Sequence, residues 1–297
     1  MQKTEYTKKI LESIGIPSQP LFLLSLQEEF SKKVPDFHNI INIVEKDVSL
    51  SARLIRVANS PFFAGGRIET IEQALRMVGI DNFYSIILAA ALKEAMSEKD
   101  LDKEFFEFFW SHTELMAAAC AYIARRTRSA PEGYAYMTGL FHDCAVPLLI
   151  KRFDGYLKVF RLALRLNYPV VEIENDIYKT DHCIAGFVIA TSWHLPKPVS
   201  YAIKYHHYPD IDIYESPEIR KLASTLILAE TIVYAGSMQQ NAGNFEIEPS
   251  WGRTLDSFLM NNPIDFDSRW AKIMSDLGID EEDVFSIREK VFEIITR

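Results

Sequence analysis

The sequence is short of cysteine, glycine and positive charge, and it has no long apolar run. Its three cysteines, Cys120, Cys144 and Cys183, include no C-x-x-C pair. An odd count without pairing argues against a disulfide framework and fits a reducing cytoplasm. Lys and Arg total 32 against 41 Asp and Glu, a formal charge of −9. Nucleic-acid binding is therefore not expected, because neutralising phosphates needs clustered Lys and Arg. The densest basic stretch, "ARRTRS" at 124–129, is short and reads as a solvated helix end. No stretch reaches the roughly 18 apolar residues of a membrane span, and "YSIILAAAL" at 84–92 reads as a buried helix. The opening "MQKTEYTKKILESIG" lacks the continuous apolar segment and small-residue cleavage site of a signal peptide. The expectation is a soluble cytoplasmic protein with no membrane partner.

What is present points to one class. The chain has 297 residues, 48% hydrophobic and 25% charged, enough to bury a sizeable core. With only 12 glycines and no series of alternating strands, Leu, Ala, Ile, Glu and Lys recur at helical spacing, so the expected fold is all-α. Asp36 can cap "FHNIINIVEKD" and Ser49 can cap "LSARLIRVANS". "PFFAGG" (61–66) is expected to be a loop, and Gly79 stops "IETIEQALRMVG". The polar interval "SEKDLDKE" (97–104) reads as a junction. Beyond it come a long helix at about 104–128, one at 134–150, and helices near 154–167, 169–179, 181–192, 197–207 and 218–236. "SMQQNAGNFEIEPS" (237–250) reads as a linker before a helical tail. The expected division is an N-terminal helical lobe (1–100), a helical core (101–236), and a linker with tail (237–297).

Six of the seven histidines fall between 112 and 207. His38 has no acidic or histidine neighbour one helical turn away and reads as ordinary. His112, the doublet His142–Asp143, and Glu230 each lie in an apolar helical pattern. Three helices thus each bring a side chain able to ligate metal to an inward position. Imidazole and carboxylate suit a divalent ion such as zinc, iron, manganese or nickel; a carboxylate-and-water site suits magnesium. His182, His206 and His207 are further candidates. Each residue also has a plain structural reading. Asp143 can accept a hydrogen bond from His112 or a backbone amide, leaving His142 a neutral core imidazole. His182 can sit in the first turn of a helix capped by Asp181 or Thr180. His194 can end a helix, and His206 and His207 can close the last turn of theirs. Trp110 and Trp193 read as core, and Cys144 as a buried, inert thiol.

These residues resemble the pattern of the HD superfamily of metal-dependent phosphohydrolases: a histidine, a histidine–aspartate doublet, then a distant aspartate, all on helices. The matching positions are His112, His142, Asp143 and Glu230. "IPSQPLFLLSLQ", "IVEKDVSLSARLIRVANSPFF", "IETIEQALRMVGIDNF" and "DHCIAGFVIATSWHLPKPVSYAIKYHHYP" resemble more closely the HDOD domain, the HD-related output domain of bacterial signalling proteins. The resemblance covers about 16–235. It implies an HD-like helical core behind an N-terminal helical lobe, and a signalling role generally without turnover. Two departures bear on chemistry. Active HD-GYP relatives commonly continue the doublet as Ile–Gly–Lys, whereas this chain continues Cys144, Ala145, Val146 and supplies no cation there. Glu230 stands where aspartate is expected, one methylene longer. The implied function is a non-catalytic module acting on a signalling protein in trans. The alternatives are a phosphohydrolase acting on a nucleotide or cyclic dinucleotide, and a sensor of a nucleotide-like ligand.

Overall fold

The computed structural model describes residues 2–15, 20–59, 67–96, 103–165, 170–208, 216–240 and 268–295. Among them every regular element is a helix. The expected loop at 61–66, most of the junction at 97–104, and most of the linker and first tail helix lie outside the described residues.

The chain opens with α1 (Gln2–Ile14), α2 (Leu21–Phe30), α3 (Phe37–Glu45), α4 (Val48–Ala58), α5 (Ile71–Val78) and α6 (Ile80–Met96). Asp36 caps α3 as expected, accepting from the backbone N–H groups of His38 and Asn39. The expectation for Ser49 was wrong: Asp47 caps α4, its carboxylate 3.0 Å from the Leu50 N–H. Asp47 lies two residues earlier, so Val48 is already helical. Gly79 ends α5 with φ +79°, a backbone conformation that costs other residues more. α6 begins at the next residue.

Glu29 joins the end of α2 to the start of α3 and is only 2% exposed. Its carboxylate accepts from Lys32 Nζ at 2.6 Å, the Asp36 backbone N–H at 2.8 Å and Asn39 Nδ2 at 2.8 Å. The Lys32 bond, followed by those from Asp36 and Asn39, pulls its pKa from 4.5 to about 2. A carboxyl held low when folded contributes stability above its unfolded pKa and loses it as pH falls through the folded value. The melting-temperature gap between wild type and Glu29→Gln should therefore be full at pH 7, narrow below about pH 4.5, and close near pH 2. Circular-dichroism melts across that range check it, and a pH-independent gap would contradict it.

The second half comprises α7 (Lys103–Thr127), α8 (Glu132–Phe141), α9 (Val146–Arg152), α10 (Tyr156–Arg165), α11 (Val170–Tyr178), α12 (His182–Ser192), α13 (Lys197–Tyr205), α14 (Pro217–Gln240), α15 (Ser268–Leu277) and α16 (Glu281–Ile295). α8 packs between α6 and α7. α14 packs on α7 and α13 and carries α15 and α16 on another side, while α1 lies on α9 and α12. One apolar core, from Leu11 to Val291, runs through all of these. Trp110 and Trp193 belong to it, at 4% and 1% exposure. No single helix among the described residues is long and apolar enough to cross a membrane.

Two local features position the site. The α7–α8 contact is backbone against backbone: a Cβ on Gly139 would lie 2.5 Å from the Met116 carbonyl oxygen. The second feature corrects the expectation of one helix over 134–150. The chain leaves α8 at Phe141, turns through 142–145, and re-enters a helix at Val146. Pro147 is the cause. It has no N–H to give the Asp143 carbonyl and its ring crowds that carbonyl. The Val146 N–H bonds Asp143 O instead, at 2.9 Å. His142 and Asp143 therefore project from a turn between two helices.

Candidate metal centre

Five helices deliver the candidate side chains. His112 comes from α7 and Glu230 from α14. His142 is the C-cap of α8, with Asp143 next in the turn. His182 opens α12 behind the Asp181 N-cap, whose carboxylate accepts from the Ile184 N–H at 2.8 Å. His206 is the C-cap of α13, followed by His207. All are buried except His207, whose side chain is 32% exposed. His194 lies elsewhere. It is exposed in a left-handed turn after α12 (φ +55°), where backbone bonds from His194 to Thr191 and from Leu195 to Ala190 close the helix end. His38 is exposed on α3.

The structure brings all seven candidates together. His112, His142 and Asp143 form one grouping and His206, His207 and Glu230 another, each with ligand atoms within 4.8 Å of one another. His142 Nε2 stands 3.1 Å from Asp143 Oδ2 and 4.0 Å from Glu230 Oε1. His182 Nε2 is 3.6 Å from Asp143 Oδ1. His206 Nε2 and His207 Nε2 are 3.9 and 3.6 Å from Glu230 Oε1.

The other ring nitrogens determine what these contacts mean. His142 Nδ1 lies 2.6 Å from the Gly139 carbonyl, and His206 Nδ1 lies 2.6 Å from the Ile203 carbonyl. A carbonyl only accepts, so both Nδ1 atoms carry protons, and in the neutral ring Nε2 is then a lone pair. His182 Nδ1 donates to Glu174 Oε2 at 2.7 Å, with the same consequence. In the neutral rings the Nε2 lone pairs of His142 and His206 thus face the two carboxylates, while that of His182 lies between Asp143 Oδ1 at 3.6 Å and Cys183 Sγ at 3.5 Å, a thiol able to donate to it. Buried acceptors facing acceptors are stable only with positive charge between them, either protons on the rings or a cation.

Protons serve some rings and not others. Burial opposes charge on His142, but Asp143 outweighs it and raises the imidazole. Burial likewise opposes charge on His182, yet Cys183 and then Glu174 push it well up. Burial opposes charge on Asp143 too, but the surrounding imidazoles, His142 first, hold it well down. Burial and the His142 charge lower His112 to about 4. Burial, then His207 and the other rings, hold His206 well below its ordinary range. Neutral His112 and His206 are in the state that ligates metal.

The cysteines belong to a different class. Burial pushes Cys183 up to about 12, and Cys120 and Cys144 also upward. Cys183, grouped with His182 and His206, lies 3.5 Å from His182 Nε2 and approaches His206 at Nδ1 (3.7 Å), the nitrogen already spent on Ile203.

Sequence reasoning missed Glu174 and Tyr156. Glu174, 1% exposed, shares the inward face of α11 with Val170 and Val171. A carboxylate on an apolar stripe was the available signal.

The sequence model of the HDOD domain matches residues 16–209. The chain belongs to the HDOD domain family. Similar solved structures share the HDOD fold. An HDOD domain protein of unknown function from Geobacter sulfurreducens is 21% identical with a TM-score of 0.69, covering 99% of this chain and 98% of that one. A candidate phosphohydrolase from Shewanella amazonensis is 20% identical with a TM-score of 0.67, covering 96% and 93%. A candidate signal transduction protein from Marinobacter aquaeolei is 20% identical with a TM-score of 0.69, covering 100% of this chain and 62% of that one. Among curated proteins, an uncharacterized protein of Treponema pallidum is 23% identical over 237 residues, 78% of this chain and 45% of its own length. The uncharacterized protein YuxH of Bacillus subtilis is 24% identical over 156 residues, 52% and 37%. The HDOD chain thus spans less than half the length of these curated relatives.

Proposed function

We propose that this HDOD chain is a signalling module that acts without turnover on a partner protein, and that its histidine–carboxylate cluster holds divalent metal within the helical core. The observation that carries the metal reading is the packing of imidazole and carboxylate ligand atoms into two groupings, each within 4.8 Å. His112, His142 and Asp143 would hold one ion, with His182, facing Asp143, as a further ligand to it, and His206, His207 and Glu230 a second. An imidazole-rich set suits iron, manganese, zinc or nickel better than magnesium. When bound, such an ion supplies Lewis acidity. The residues themselves orient lone pairs through their anchored Nδ1 atoms and neutralise charge through the two carboxylates.

Two features support a module without turnover. Hydrolytic centres keep an open position, whereas here only His207 reaches the rim, with the other six side chains buried. Cys144, Ala145 and Val146 are buried behind the doublet and supply no phosphate-binding charge. The signalling role is supported by the family and by the name of the Marinobacter relative. Much of each curated relative lies outside the matched part, in keeping with a module that works beside another domain. The completeness of the ligand set favours the second reading, a phosphohydrolase acting on a nucleotide or cyclic dinucleotide. A sensor holding a nucleotide-like ligand would share the same helices.

Elemental analysis together with a Mn²⁺-supplemented assay on bis(p-nitrophenyl) phosphate and a cyclic dinucleotide separates these readings. Bound metal is expected in wild type, about a tenth or less of it in the Asp143→Ala/Glu230→Ala double variant, which removes a ligand from each grouping, and no hydrolysis above the buffer rate. Turnover abolished by His142→Ala and Asp143→Ala would establish the hydrolase instead.

A further inference from the structure

We infer that Glu174 and Tyr156 form a buried relay that positions His182, holding its proton on Nδ1 so that Nε2 faces the cluster. The inference rests on the metal-centre reading and adds two residues outside the ligand set. α10 supplies Tyr156, α11 supplies Glu174 and α12 begins at His182, so three consecutive helices meet at one carboxylate. Glu174 Oε2 accepts from the His182 ring Nδ1 at 2.7 Å and from its backbone N–H at 3.1 Å. Oε1 accepts from the Tyr156 hydroxyl. Both relay side chains are 1% exposed.

A carboxylate this deep is costly to desolvate, and an apolar side chain would fill the space at lower cost. What the carboxylate does that an apolar group cannot is grip one histidine twice, by ring and by backbone. That leaves the ring no alternative tautomer and one orientation. Its Nε2 then lies 3.6 Å from Asp143 Oδ1, an oxygen buried without a hydrogen bond of its own, and 3.5 Å from Cys183 Sγ. The Tyr156 hydroxyl in turn holds the carboxylate in register. Carboxylate–histidine pairs of this kind set ligand orientation and basicity, and losing one typically lowers metal affinity about 10–100-fold.

The test compares wild type, Glu174→Gln and Tyr156→Phe, using Zn²⁺ as the probe. Zn²⁺ affinity is titrated calorimetrically. The His182 ring is followed in ¹⁵N-histidine-labelled protein, metal-free and Zn²⁺-loaded, with its signal assigned by its loss in His182→Gln. Wild type should show a slowly exchanging, downfield Nδ1 proton in both forms. Glu174→Gln should shift it upfield and weaken Zn²⁺ about 10–100-fold, with Tyr156→Phe intermediate and well folded. If wild type binds no Zn²⁺, the metal reading fails, and the metal-free Nδ1 signal alone decides the relay. If Glu174→Gln and Tyr156→Phe both leave the ring signal and the affinity unchanged, the relay is overturned.

Discussion

Stripping the protein with EDTA should lower its melting temperature by about 10 °C, and adding Mn²⁺ or Zn²⁺ should restore it. A ligand that binds only the folded state, present at roughly 1,000 times its dissociation constant, contributes about 4 kcal/mol. In a chain of this size each kcal/mol moves the midpoint by about 2–4 °C. The physical source is the geometry around Asp143 and Glu230, where a cation offsets the charge of two buried carboxylates. Protons are a partial substitute, because His142 and His182 are raised while His112 and His206 are held neutral. Protons and metal compete for the same Nε2 atoms, so the EDTA-sensitive part should shrink as pH falls. Scanning fluorimetry with and without chelator, at pH 6 and pH 8, measures both effects. The Asp143→Ala/Glu230→Ala double variant should be indifferent to EDTA. A wild-type protein verified to be metal-free, yet melting no lower than the loaded one, would remove the metal from the account.

Gly139→Ala should destabilise the protein by about 3 kcal/mol, the upper end for overpacking, and should release metal without touching a ligand. The added Cβ would lie 2.5 Å from Met116 O and 2.8 Å from Ala117 Cα. Backbone cannot swing aside as a side chain can, so α8 must move away from α7. His112 rides on α7, and His142 follows directly from α8. Separating the helices therefore pulls one ligand grouping apart. Gly186→Ala is the control: its Cβ would meet Ile203 Cγ2 at 3.1 Å and His142 O at 3.4 Å, contacts relieved by a small adjustment. Chemical denaturation and metal content on both variants test the pair. Equal losses in both would contradict this account of the α7–α8 contact.

Much of the fold was legible in the sequence because helix signals are local. The Asp36 cap, the Gly79 stop, and the spans of α7, α12 and α13 follow from neighbours within one or two turns. The break at 142–145 was also local, since Pro147 stood in plain sight. The apolar pattern on both sides of it carried the reading across, although a proline withholds the N–H that an unbroken helix needs. The cap of α4 was misassigned between Asp47 and Ser49, two residues of similar capping strength two positions apart. For the site, residue types named the candidates, and the spacing of Glu174 on the inward face of α11 went unused.

Taken alone, the amino-acid order determined that the chain is helical, that it resembles the HDOD pattern, and which side chains are chemically able to ligate metal. Helical period, capping and donor type are properties of single residues and short windows. Only the tertiary structure decided that His112, His142, Asp143, His182, His206, His207 and Glu230 meet in one cluster, and which nitrogen each anchored ring turns toward it. Those outcomes depend on a glycine-tight contact between α7 and α8, and on carbonyls and a carboxylate that hold Nδ1 protons. Spacing along the chain carries no record of such contacts between distant segments.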